Sequence, residues 1–132
     1  MDGGTWLPAD SAPADPGALL ALCPALDSGL RTLRESLERE GALPAGLVAR
    51  METRVAWLLT AAGAEPVPAS ALEAAAFAYA DAFVQNPHAV ADAHVTALER
   101  HLTVPQVVAL TELLALLDGF TRFRLILAAE QP

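Results

Sequence analysis

Among many alanines and leucines, this chain carries three histidines, one cysteine and a few carboxylates with chemistry to offer. Cys23 is the only cysteine, so neither an internal disulfide nor a dithiol redox pair can form. A peroxidase built on Cys23 would lack a resolving thiol. His88, His94 and His101 do not have metal-binding spacing. His94 and His101 stand two helical turns apart, about 10 Å, too far to share an ion. No metal and no cofactor is expected. His101 falls at a helix C-terminus, where the macrodipole favours a cation. His88 follows Pro87 in a loop, where it either bonds to backbone or enters a pocket.

Asp81 lies in an otherwise apolar helical stretch, Ala74 to Val84. A buried, unpaired carboxyl there would have a raised pKa and could act as a general acid or base. The alternative is a salt bridge to an arginine on another helix. Asp118 interrupts the most apolar segment of the chain, with Arg122 four residues on at ion-pair spacing. Thr111 is two turns earlier on the same face. This strip either lines a pocket that holds a carboxylate through Arg122 or forms a network between helices or subunits.

These residues need helices to position them. Asp15-Pro16 reads as an N-cap followed by proline at the first helical position, opening a short helix to Cys23. Pro24 restarts the chain, and Leu26, Leu30, Leu33 and Leu37 recur at helical spacing up to Gly41. Pro44 opens the next helix. Leu47, Val48, Met51, Val55, Leu58 and Leu59 form its apolar face, and Arg50, Glu52 and Arg54 its polar one, with Gly63 as the stop. Glu52 reads as a solvated or paired surface charge. Ser70-Ala71-Leu72-Glu73 is a capping box for a helix to about Val84. A further helix over about 91–101 is expected to take Asp92 as its cap. Thr103 to Gln106 is a second capping box, opening a last helix to about Ala128. That helix is apolar almost all round from Val107 to Leu117, which predicts a central, buried position. No strand pattern occurs. The fold class is all-α, with about six helices. Residues 1–16, with Trp6 alone among Gly, Pro and Asp, read as a flexible arm, and 17–132 as one helical domain.

Composition narrows the function. The 132 residues carry a net charge of −8, and all eight basic residues are arginine. Nucleic acid and anionic membrane surfaces are poor partners for such a chain. No run of 18 or more apolar residues is free of polar interruption, so no membrane span is expected. The N-terminus lacks the basic start of a secretory signal, and a cytoplasmic location is the expectation. The hydrophobic fraction of 54% is high for a small chain, which points to faces covered by other copies. A homo-oligomer is expected: a dimer, trimer or hexamer. The lysine-free, Ala-, Arg- and Leu-rich composition points to a GC-rich bacterial genome.

The residues from Glu73 to Leu127 carry a likeness. Phe77-Ala78-Tyr79-Ala80-Asp81-Ala82-Phe83 is followed by Asn86-Pro87-His88-Ala89-Val90 and by Leu98-Glu99-Arg100-His101-Leu102. Val107 to Leu113 and Phe120-Thr121-Arg122-Phe123 close the segment. In order and spacing this set resembles the carboxymuconolactone decarboxylase and AhpD-like family. The resemblance implies an AhpD-like helical bundle. Peroxidase members of that family carry C-x-x-C after an upstream helix, with a glutamate about three turns earlier. Here Ala61 and Ala64 stand at the cysteine positions and Ala49 near the glutamate. The resemblance therefore implies the fold without the thiol chemistry. Trp57 and Thr60, at the end of that helix, would line what remains of the family's pocket. Asp81 stands at the family's glutamate position in its own helix.

Two functions follow as expectations. One is a cofactor-independent lyase, isomerase or cyclase acting on a small carboxylated or lactone-like molecule. Asp81, His88 or Asp118 would move the proton, and Arg122, Thr111, Trp57 and Thr60 would bind the substrate. The other is a non-catalytic scaffold or partner subunit that kept the fold.

Overall fold

A computed structural model describes residues 23–39 and 42–128. Helix α1 spans Pro24–Arg39, α2 Leu47–Thr60, α3 Ala71–Gln85, α4 Asp92–Glu99 and α5 Val104–Ala128. A single 3₁₀ turn, Pro87–Ala89, joins α3 to α4. The described residues are all-helical and contain no strand. The count is five α-helices among them. The expected arm over 1–16, Trp6 and most of the short helix after Pro16 lie outside the described residues.

Helix α3 is the hub. It packs against α2, α4 and α5, and α2 packs against α5 as well. The core is aliphatic: Met51 and Val55 from α2, Ala76 and Ala80 from α3, Leu98 from α4, and Leu110 and Leu114 from α5 are all 0% exposed. Phe77, Tyr79 and Val84 fill the space between them. Helix α1 adds Leu37, and the turn after it adds Leu43.

Local signals set several boundaries. Ser70 Oγ accepts from the Glu73 amide at 3.1 Å and starts α3. The Glu73 carboxylate does not return to the Ser70 backbone; it takes Arg50 Nε at 2.6 Å instead. The second capping box has both arms: the Thr103 amide donates to Gln106 Oε1 at 2.9 Å, and the Gln106 amide to Thr103 Oγ1 at 3.3 Å. Each arm satisfies a backbone donor that the helix start leaves open.

Four expectations change. Helix α2 begins at Leu47, three residues after Pro44, because Gly46 holds a left-handed φ of 80°. It ends at Thr60, before Gly63, with Ala61 in the left-handed region at φ 52°. The Ala61 amide donates to the Trp57 carbonyl at 2.7 Å, so the turn closes there although alanine resists that conformation. Asp92 does not cap α4. His94 Nδ1 reaches back to accept the Ala91 amide at 2.9 Å and takes over that role. Finally, α5 is not buried all round. Leu110, Leu113 and Leu114 face the core, while Val104, Val108, Phe123, Leu125 and Ile126 are exposed. Among the described residues, the other helices pack against one side of α5 only.

Candidate functional site

The polar residues fall into two groups on opposite sides of α2. Glu52 stands two residues from both Arg50 and Arg54, about 200° around the helix axis from each.

Arg54 is buried, at 7% exposed, although its place on the helix reads as polar surface. Its Nε and Nη2 grip both oxygens of Asp81 at 2.8 and 2.6 Å. Its Nη1 donates to Glu65 at 2.9 Å and to the Pro66 carbonyl at 3.2 Å. The guanidinium lies over the rings of Trp57 and Phe77, at 5.0 and 5.3 Å. The hydrogen bond to Asp81, ahead of the burial that opposes it, raises the Arg54 pKa further above the ordinary arginine range. Arg50 repeats the arrangement one turn earlier, bonding Glu73 and the Val67 carbonyl, the latter at 2.6 Å. Together the two arginines fasten the connection between α2 and α3 onto the helices.

Every polar atom of Asp81 is thus engaged, and this carboxylate is built as a clasp. Trp57 serves the same cluster as a stacking face. Thr60 is exposed and donates to the Ala56 carbonyl at 2.7 Å. Thr111 accepts from the Tyr79 hydroxyl at 2.8 Å and donates to the Val107 carbonyl. Asp118 and Arg122 make the expected i,i+4 pair at 2.8 Å, and Arg122 also donates to the Val84 carbonyl at 3.1 Å. His88 is exposed, with its amide on Asn86 Oδ1. Asp81, His88 and Asp118 therefore belong to separate contacts, and none of them lines the cleft between α1, α2 and α5. Among the described residues, no cluster of histidine, cysteine and carboxylate side chains is arranged to hold a metal.

The second group borders a cleft of about 320 Å³ between α1, α2 and α5. Leu33, Leu37, Leu113, Leu116, Leu117 and Phe120 form its apolar walls. Thr121, Glu52 and the charged residues Asp27, Arg31, Arg34 and Arg124 complete the lining. Three arginines stand here against Asp27, Glu52 and, beside the lining, Glu38, so this place is close to neutral on an acidic chain. Glu52 pairs with Arg34 Nη2 at 3.0 Å across the α1–α2 gap, so it is paired as a surface charge would be. Burial nevertheless raises its carboxyl above the ordinary 4.5, outweighing the opposing pull of Arg34 and Arg124, with Glu38 adding to the rise. Arg124 makes no hydrogen bond or ion pair among the described residues, which leaves its guanidinium available. A half-buried acid, a free guanidinium and an apolar wall of this size suit a small amphipathic anion.

No separate signal for this cleft is legible in the chain. Its residues come from three helices up to 97 positions apart, Asp27 to Arg124, and each reads alone as ordinary helix surface. The Arg54 clasp left a weak one: Arg50 and Arg54 are one turn apart, and Glu73, Phe77 and Asp81 repeat the same spacing on the next helix. Comparison with family models, curated proteins and solved structures returned no significant match for this chain.

Proposed function

We propose that the α1–α2–α5 cleft binds a small carboxylated or lactone-like molecule, and that Glu52 transfers a proton to or from it without a cofactor. The chain is read here as a member of the carboxymuconolactone decarboxylase and AhpD-like family that has lost the dithiol. The reaction class is lyase, isomerase or cyclase. The protein is also read as a cytoplasmic homo-oligomer.

The observation that carries the reading is Glu52 at the edge of the cleft. Desolvation raises its pKa above the ordinary carboxylate value, which makes it a stronger proton acceptor than a solvated acid. Arg124 would take the ligand's carboxylate in a charge-assisted pair, and the leucines and Phe120 would cover its apolar part. Proton transfer passes from Asp81, His88 and Asp118 to Glu52, and carboxylate binding from Arg122 to Arg124.

The test uses benzoate, hexanoate and a carboxylated γ-lactone as probes against ¹⁵N-labelled protein. Amide shifts at Glu52, Leu117 and Thr121 support the cleft as a binding site. Lactone turnover that disappears in Glu52→Gln while binding persists supports the proton transfer. No shift with any probe, or turnover unchanged in Glu52→Gln, overturns the proposal.

A second reading has its own observation. Every carboxylate and histidine first expected to be catalytic is tied up or on the surface, and α5 exposes an apolar face. A non-catalytic partner subunit would look this way. It predicts binding through α5 and no turnover of the probes.

A further inference from the structure

The exposed face of α5 has a composition that matches itself in reverse. Val108, Glu112, Ala115, Gly119, Arg122 and Ile126 are all exposed and follow one another at steps of four, three, four, three and four residues. Such steps keep a single stripe along the helix. Reversed about position 117, the stripe sets valine against isoleucine, glutamate against arginine, and alanine against glycine. Glu112 has no hydrogen bond or ion pair among the described residues. Arg122 uses Nε for Asp118 and Nη2 for the Val84 carbonyl, and its side chain is still 51% exposed.

Gly119 supports the same reading. A methyl group added there would meet nothing within 4 Å, so packing inside the chain does not require glycine. Glycine weakens a helix interior, and close approach of another backbone is a physical reason for it to stand there.

We propose that two copies of this chain pair through α5, antiparallel and two-fold symmetric, centred near Leu117. Arg122 of each copy meets the partner's Glu112, Ala115 lies against the partner's Gly119, and Val108 against the partner's Ile126. The contact is isologous, so the same residues serve twice and the assembly closes at two. This deepens the homo-oligomer reading above and rests on it; it is independent of the cleft's chemistry. Val104–Ile126 is also long and apolar enough to cross a membrane. Glu112, Asp118, Arg122 and Arg124 along it favour a protein partner over lipid.

Sedimentation of the full chain should show a dimer. Glu112→Arg and Arg122→Glu should each weaken it about tenfold, by setting like charges together at two symmetric sites. The double variant should recover part of that loss, short of wild type because position 122 then no longer pairs with Asp118 or the Val84 carbonyl. Spin labels on Pro105→Cys and on Leu125→Cys, with Cys23 changed to serine, should lie about 36 Å and about 24 Å apart along the axis in an antiparallel pair. A monomer overturns both the oligomer reading and this interface. A dimer with equal, short label distances, or one that the double variant does not restore even in part, overturns the interface alone. Pelleting with phosphatidylcholine vesicles, without self-association, overturns it in favour of lipid.

Discussion

The two sides of α2 use the same residue types to opposite ends. On one side Arg54 holds Asp81, Glu65 and the Pro66 carbonyl while two rings cover it. Each of its three nitrogens has a partner, through four hydrogen bonds in all. On the other side Glu52 has one arginine at 3.0 Å, a second nearby, and an apolar cleft in front of it. A satisfied charge stabilises a fold, and a partly desolvated one with space beside it is available for chemistry. Charge alone does not separate the two. Hydrogen-bond saturation and accessible volume do.

The largest effect should come from breaking the saturated side. Arg54→Ala leaves Glu65 and Asp81 without their shared cation and removes the guanidinium from between the rings. The Asp81 side chain is 33% exposed, so water relieves part of the cost. A loss of about 3 kcal/mol is expected in urea unfolding. A loss below about 0.5 kcal/mol, the size of an ordinary surface change, would place Arg54 with the solvated charges and erase the contrast.

Next comes the pH response of the open side. The folded pKa of Glu52 lies above its unfolded value of 4.5. Between those two pKa values the folded state binds the extra proton, so this residue's contribution to stability falls as pH rises through that window. It is fully present below the unfolded pKa. Glu52→Gln should flatten that part of the stability–pH curve and raise the melting temperature at pH 7. An unchanged curve would mean that the carboxyl is as well solvated as any surface acid.

The smallest effect concerns the connection that the clasp fastens. Ala61 sits at φ 52° at the end of α2. Ala61→Gly should stabilise the protein by about 0.5–1 kcal/mol, because glycine adopts this conformation without a steric cost. The gain should persist in an Arg54→Ala background if Ala61 keeps its conformation without the clasp. Its disappearance there would show that Arg54 imposes the turn.

Helix identity and most helix starts were legible in the chain because their causes are local. Ser70 and Glu73, or Thr103 and Gln106, are three residues apart, and the cap forms within one turn. The Asp118–Arg122 pair was legible for the same reason. His94 as a cap was not, since aspartate at the adjacent Asp92 is the stronger prior. The left-handed Ala61 was hidden because glycine at Gly63 offers an easier stop.

The sequence by itself determined an acidic, all-helical chain without a dithiol, because residue type, charge and 3.6-residue periodicity need no knowledge of what packs where. Only the tertiary structure decided that Asp81 closes on an arginine 27 positions away, that Glu52 borders a cleft, and that the other described helices leave apolar residues of α5 exposed. Partner choice and desolvation depend on distances between segments far apart in the chain, and a linear pattern does not carry those distances.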